Sequence, residues 1–254
     1  MDSNNSLPLV TIITIVSNNV TTIRNCIQSV AYQDYENIEH ILIDNCSTDG
    51  TLEAIYELQD DISLIISEPD DGIYFALNKG INLSNGKIIG FLNSDDVLKS
   101  RVTITKIVSV LLSSGGDAVY GDLQYFSRRY PNVITRLWKA GHLSGNFIQG
   151  WMPPHPTFYT YKDTYLKYGN FDTSFKISSD YEMMLRLLYK NKIRAIYIPE
   201  VLVKMQRGGI SNQDMRSVWL KTKEDLEIMR GFNFDFLTLF NKNLRKFSQL
   251  FLRR

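Results

Sequence analysis

From residue 9 to residue 16 the chain is a nearly unbroken series of apolar and β-branched side chains, cut off at Ser17-Asn18-Asn19. A run of that length between polar flanks predicts a strand buried on both faces. Thr21 or Thr22 can then cap a helix in which Ile23, Ile27 and Val30 recur at i, i+4 and i+7. The alternation continues with a strand over 40–43, a helix over 51–58, a strand over 63–66, a helix over 72–83 and a strand over 87–92. Strands alternating with helices imply right-handed crossovers and a mainly parallel sheet flanked by helices, which makes this an α/β protein. Ligands of such sheets bind at the carboxyl ends of the strands. The polar clusters Ser17-Asn18, Asp44-Asn45 and Asn93-Ser94-Asp95-Asp96 fall at those ends.

Beyond residue 100 the pattern loosens. It predicts a helix over 103–112, a short strand over 118–120, an aromatic and basic stretch through Trp138, and a loop around 149–154 stiffened by Pro153 and Pro154. A helix over 180–189, a strand over 195–203 and a helix over 214–229 follow. No repeat or low-complexity linker divides the chain. The expected organisation is a disordered start over 1–8, one domain over 9–210 with halves meeting near residue 100, and a helical extension over 211–254.

Composition bounds this picture without redirecting it. A hydrophobic fraction of 44% in 254 residues suffices for one sizeable α/β core with a small appendage. A formal net charge of +1 gives no field that would draw the whole chain to a nucleic acid, so charged partners must be bound locally. Cys26 and Cys46 have neither zinc nor disulfide-framework spacing and are expected to be small buried residues in a reducing compartment. The first residues, MDSNNS, lack a signal-peptide pattern, and no stretch reaches the about 18 apolar residues of a spanning helix. The expectation is a cytoplasmic protein.

Three segments carry candidate chemistry. In Gly90-Phe91-Leu92-Asn93-Ser94-Asp95-Asp96 an apolar strand delivers two adjacent carboxylates, which repel unless a cation lies against them. A divalent metal shared with phosphate oxygens answers that need, and a turn or cap would equally use these residues. In Ile41-Leu42-Ile43-Asp44-Asn45-Cys46-Ser47-Thr48-Asp49-Gly50-Thr51 the last three residues suit turning and capping, whereas Asp44 at the strand tip could accept a hydrogen bond from a base or ribose. In the third segment, from Glu68 to Gly80, Asn78 and Lys79 could reach a phosphate or could simply be solvated.

In this order and spacing the segments resemble the inverting family 2 glycosyltransferases of the GT-A fold, a Rossmann-like nucleotide-binding architecture. The resemblance spans roughly 9–210 and is strongest over 9–100, which it makes the nucleotide-sugar half, with 101–210 the acceptor half. It implies that Asp44 contacts the donor base, that Asp95 meets the ribose or a metal-bound water, and that Asp96 holds Mg²⁺ or Mn²⁺, the Ser94-Asp95-Asp96 run matching the family's DXD motif. Asn78 and Ser17 join the donor-binding set. Ser17 stands where many relatives place Tyr, and Asn93 where relatives often have Asp. Asp180, opening a helix after the turn Phe171-Asp172-Thr173-Ser174-Phe175, matches the family's catalytic base. Glu182, two residues on, points to nearly the opposite side of a helix.

The resemblance places the acceptor site around Trp151-Met152-Pro153-Pro154-His155. Trp151 could stack on a sugar and His155 could hydrogen-bond the acceptor, or both could be packed structure. Arg207-Gly208-Gly209-Ile210-Ser211 resembles a loop closing over the diphosphate, with Arg207 and Ser211 as its contacts. The function implied is transfer of a sugar, with inversion, from a nucleotide-sugar donor, UDP-linked by preference, to a glycan or lipid-linked sugar acceptor of polysaccharide, lipopolysaccharide or O-antigen type. A sugar nucleotidyltransferase is the alternative enzyme, disfavoured because no Gly-rich basic loop follows the first strand. A catalytically silent nucleotide- or glycan-binding relative is the other alternative. The tail over 236–254 sets Phe236, Leu237, Phe240, Leu244, Phe247, Leu250 and Phe251 beside Lys242, Arg245, Lys246, Arg253 and Arg254. That pattern suits peripheral contact with an anionic membrane or packing on the domain.

Overall fold

A computed structural model describes residues 7–127, 133–143, 147, 150–206, 215–234 and 238. The expected Arg207 and Ser211 contacts lie outside the described residues, as does the 236–254 tail apart from residue 238.

The first half follows the sequence pattern closely. Strands β1 (Val10–Val16), β2 (Ile38–Asp44), β3 (Leu64–Ser67) and β4 (Ile88–Phe91) pair in parallel in the order β3-β2-β1-β4. Helices α1 (Ile23–Ala31), α2 (Thr51–Tyr56) and α3 (Ile73–Leu83) make the crossovers. Thr22 occupies the cap position of α1, but its hydroxyl donates to Ser94 O at 2.9 Å instead of capping the helix, so it ties α1 to the loop after β4.

The second half departs more. Residues 96–98 form a short strand, β5 (Asp96–Leu98), and α4 (Thr103–Ser114) follows. The strand expected over 118–120 extends to nine residues as β6 (Ala118–Phe126). The aromatic, basic stretch is its hairpin partner β7 (Ile134–Trp138). A further strand, β8 (Tyr159–Tyr161), and helix α5 (Lys162–Tyr168) precede α6 (Ser179–Met184), which continues as a π-helical segment over Leu185–Lys190. The last described elements are β9 (Ala195–Gln206) and α7 (Met215–Gly231). One mixed sheet results, ordered β3-β2-β1-β4-β8-β6-β9-β5, with β7 beside β6. Its added pairings are antiparallel except β6 with β9.

Both faces of this sheet are covered, which is why its strands read as continuous apolar runs. On one face Ile13, Ile89 and Phe91 pack with Tyr74, Leu77 and Ile81 of α3, the α6 segment, and Ile228 and Met229 of α7. On the other, Val10 and Ile12 pack with α1 and with Ile104, Ile107 and Leu111 of α4. The α7 helix therefore shares the main core.

The two halves meet where β8 lies against β4. Gly90 permits this, because a Cβ there would stand 2.0 Å from the Tyr159 ring. Gly90→Ala is expected to destabilise the protein by roughly 1–3 kcal/mol, the range for overpacking a close-packed core. Urea unfolding measures this, and an unchanged midpoint would mean the halves can shift apart freely.

Candidate functional site

At the carboxyl ends of β1, β2 and β4 the loops are knitted by side chains. The Asn18 amide N–H donates to Ser47 Oγ at 2.8 Å, and Asn18 Oδ1 accepts from the Thr48 N–H at 2.9 Å. The Asn19 side-chain amide donates to Ser94 Oγ at 2.9 Å. Ser17 is exposed at the tip of β1. Asn18 and Cys46 take left-handed backbone angles, φ 49° and 46°, unusual for non-glycine residues and concentrated here. Cys46 is exposed, contrary to expectation, because its sharp turn leaves the strand; Cys26 is buried as expected.

Asp44 sits at the end of β2 and is fully buried. Its Oδ2 accepts from the Ser47 N–H at 3.0 Å and the Ser67 hydroxyl at 2.7 Å, and its Oδ1 from the Ser47 hydroxyl. With both oxygens engaged by its own loops, Asp44 shapes the rim from within. Asn78 lies against the backbone of Phe171. Its side chain donates to Phe171 O and accepts from the Phe171 N–H, both at 2.9 Å, so it clamps α3 to the segment leading to α6. Lys79 pairs with Glu68 and Asp70, each at 2.6 Å, which accounts for its charge without a phosphate.

Asp95 and Asp96 lie at the start of β5. Asp96 is fully buried; its Oδ2 accepts from the Asn93 amide at 2.9 Å, and its Oδ1 has no hydrogen-bond partner. Burial first, and the neighbouring Asp95 charge second, push the Asp96 carboxyl well above the usual carboxylate range. A desolvated carboxylate oxygen without a partner beside a second acid fits a hard divalent cation. No cluster of three or more His, Cys, Asp or Glu residues occurs among the described residues, so the chain contributes this acid pair rather than a closed cage. Asn93 supplies a hydrogen-bond donor where a third acid would add repulsion.

The sheet extends the site laterally. Asp96 pairs with Met205, Met205 with Tyr125, and Tyr125 with Arg136. Directly paired residues share a face, so these four side chains form one row across β5, β9, β6 and β7. The Arg136 guanidinium lies 4.9 Å from the Tyr125 ring centre and 5.4 Å from that of Trp138. The Tyr125 hydroxyl is pushed up chiefly by burial, against Arg136, and further by the charges of Asp96 and Asp180. Both acids thus bear on one tyrosine. Tyr125 and Arg136 escaped the sequence reading because only strand pairing brings them to the site.

Asp180 is the second residue of α6, with about a quarter of its side chain exposed. Its Oδ1 accepts from the Tyr181 N–H at 2.8 Å and lies 3.4 Å from the Tyr74 hydroxyl, while Oδ2 lies 3.8 Å from His155 Nδ1. Burial lowers the His155 pKa, with Asp180 opposing, so this ring is held neutral at neutral pH. Glu182 is committed to Arg186, whose Nε it meets at 3.0 Å, and Arg186 also donates to the carbonyls of Tyr168, Gly169 and Asn170. Trp151 takes the packed arrangement of the two that its sequence left open. It is buried edge-on between Tyr120 and Phe147, and its indole N–H donates to Ala140 O at 2.7 Å. The expected acceptor pair is thus divided, with His155 beside Asp180 and Trp151 in the core.

The family model described as glycosyl transferase family 2 matches residues 11–178. Among curated proteins, an uncharacterised glycosyltransferase of Mycobacterium tuberculosis is 29% identical over 198 residues, covering 71% of this chain and 69% of that one. A PGL/p-HBAD biosynthesis glycosyltransferase of Mycobacterium bovis is 23% identical, covering 84% and 83%. Among solved structures, S. aureus TarS in complex with UDP-GlcNAc superposes with a TM-score of 0.65 at 17% identity, covering 88% of this chain and 73% of that one. A Pyrobaculum calidifontis mannosyltransferase in complex with GDP-Man and Mn²⁺ gives 0.64 at 18% identity, covering 89% and 64%. At these identities the structural likeness establishes the fold, a GT-A-type α/β sheet.

A raised carboxyl pKa in the folded state means that Asp96 adds stability below the ordinary carboxylate range and withdraws it as pH rises through the folded value. Asp96→Asn is therefore expected to raise the melting temperature of the metal-free protein near neutral pH. It should also abolish any further rise that Mn²⁺ with uridine diphosphate gives the unsubstituted protein. A lower metal-free melting temperature in the variant would contradict this account of the acid pair.

Proposed function

This chain belongs to glycosyl transferase family 2, and on that premise we propose that it is an inverting enzyme that moves a sugar from a nucleoside-diphosphate donor to an acceptor hydroxyl, forming a β-linkage. A uridine-linked donor and a glycan or lipid-linked acceptor of a surface polysaccharide are the favoured pair. Support for a nucleotide-sugar donor and a divalent metal comes from the neighbours solved with UDP-GlcNAc and with GDP-Man and Mn²⁺. The observation that carries the reading is the pair of contrasting acids, Asp96 buried with one oxygen unpartnered beside Asp95 and Asp180 part-exposed at the start of α6 with its Oδ2 3.8 Å from His155 Nδ1.

In this mechanism the acceptor oxygen forms the new bond to the anomeric carbon, the bond from that carbon to the diphosphate breaks, and the electron pair leaves with the nucleoside diphosphate. Asp180 receives the acceptor proton, a task that requires a carboxylate within hydrogen-bond reach of the attacking hydroxyl. Its partial exposure suits that role, and neutral His155 offers the acceptor a hydrogen bond without competing for the base as a cation. Asp96, with Asp95, would hold Mg²⁺ or Mn²⁺, which when bound supplies positive charge to the departing diphosphate. Ser17 and Asp95 face the donor, and Asp44 shapes the base pocket through Ser47 and Ser67. No helix of the described residues is long and apolar enough to cross a membrane. The apolar and basic pattern of 236–254 supports peripheral contact with an anionic membrane as the route to a lipid-linked acceptor.

The test is release of nucleoside diphosphate and transfer of sugar by purified protein over a panel of uridine- and guanosine-linked donors, with Mg²⁺, Mn²⁺ or chelator. Asp180→Asn is expected to lower the rate by about 10²–10⁴-fold while the fold is retained, the usual consequence of losing a positioned base. Asp96→Ala is expected to remove the metal dependence together with the activity. Nucleotide binding without turnover of any donor would replace the enzyme with a silent binder.

A further inference from the structure

The segment delivering Asp180 is held from two sides. From α3, Asn78 grips the Phe171 backbone, and the Tyr74 hydroxyl donates to Ile177 O at 2.7 Å while stacking on the Phe171 ring at 5.4 Å. From α7 comes Glu224, a carboxylate only 6% exposed in the middle of a helix. Its Oε1 accepts from the Lys176 N–H at 2.8 Å, and its Oε2 from the Ile177 and Ser178 N–H groups at 2.9 Å each. Three consecutive backbone donors immediately before α6 thus converge on one side chain. Ser178, the residue preceding α6, makes no side-chain cap bond, so the entry to α6 is held by Glu224 through the amides that precede the helix. Lys221, one turn earlier on α7, lies 3.4 Å from Ser178 Oγ.

We propose that Glu224 is a positioning residue for the transfer reaction: by fixing the 176–178 turn from α7, it sets where the Asp180 carboxylate stands against the acceptor hydroxyl. The proposal rests on the assignment of Asp180 as base. Two residues separate the turn from Asp180, and the Tyr74 hydroxyl that receives the Asp180 amide N–H at 3.4 Å also binds the turn at Ile177, so a shift of the turn moves the base directly. A displacement of about 1 Å at a reacting group can cost on the order of 10²-fold in rate. The contacts that place Asp96, with the Asn93 amide and opposite Met205, involve no residue of the 176–178 turn. Loss of Glu224 should therefore fall on kcat and leave nucleotide affinity alone.

Glu224→Gln is the direct test. It preserves size, but in either amide orientation an NH₂ group replaces an oxygen that now receives a backbone N–H. Full-length protein carrying Glu224→Gln, Asp180→Asn or both is assayed with whichever donor the unsubstituted protein turns over, beside Mn²⁺-dependent binding of uridine diphosphate. Expected is a 10- to 100-fold loss of kcat in Glu224→Gln, the range for a slightly misplaced base. Nucleotide affinity should stay within about twofold, and the substitution should cost little further in the Asp180→Asn background, because residues acting as a unit are non-additive. A merely structural role would lower activity by the same factor in both backgrounds, and that result, or a near-normal kcat in Glu224→Gln, overturns the proposal. If Asp180→Asn itself retains activity, the base assignment falls, and the proposal with it. Should Glu224→Gln fail to fold, Glu224→Asp, which keeps the charge but retracts it by one methylene, is read by the same criteria.

Discussion

A carboxylate removed from water with one oxygen unpartnered is costly for a fold to keep, and Asp96 is such a group. Much of the surrounding architecture is what makes it tolerable. Its backbone is fixed in β5 opposite Met205, its second oxygen takes the Asn93 amide, and the residue before it is another acid that can share a cation. Asn93 is informative in this setting. Burial already disfavours the ionised form and the Asp95 charge adds to that, so a third carboxylate would raise the cost further, whereas an amide steadies one oxygen. A site of this kind is poor without its ligand and well matched with it, which is how buried acids serve as binding groups instead of structural ones.

Asp180 stands at the other extreme. It keeps contact with solvent, lies near a neutral histidine and a tyrosine hydroxyl, and is placed by backbone contacts made to its neighbours more than by its own packing. The two acids thus stand in opposite environments, one desolvated and one accessible, and such a contrast is what separates the charge states of two carboxyl groups at one pH. The difference between them comes from position in the fold. Asp96 begins a strand that closes the sheet edge, and Asp180 begins a helix suspended between α3 and α7.

The first hundred residues were legible because their signals are local. Apolar runs and helical spacing placed β1 to β4 and the three helices between them to within about two residues, and Asp44, Asp95 and Asp96 at the strand ends followed from the same pattern. What stayed hidden depends on pairing over distance. The three-residue strands β5 and β8 have too little sequence to mark them and exist by virtue of β9, β4 and β6. Polar Asp122 and Gln124 look like the end of a strand, yet Asp122 is buried and accepts from the Ala140 N–H and the Tyr197 hydroxyl, so β6 runs through them. Tryptophan is ambiguous for a physical reason, since its ring suits a sugar face and a core equally, and only the contact of the Trp151 indole with Ala140 decides. Glu224 reads as one more acid on a charged helix, because nothing nearby in the sequence reveals that three amides lie against it.

The pairing of β5 with β9 also has a bearing on how the molecule is made. Asp96 is synthesised more than a hundred residues before its partner Met205, and Tyr125 reaches its place in the row only when the same β9 strand aligns beside it. Such long-range strand closure carries a large loop entropy and comes late relative to local helix and strand formation. The early half can form its parallel sheet while the ribosome is still working, but its acid pair stays unsupported until the chain past residue 206 has emerged. The buried setting of Asp96 is therefore among the last features the nascent chain completes.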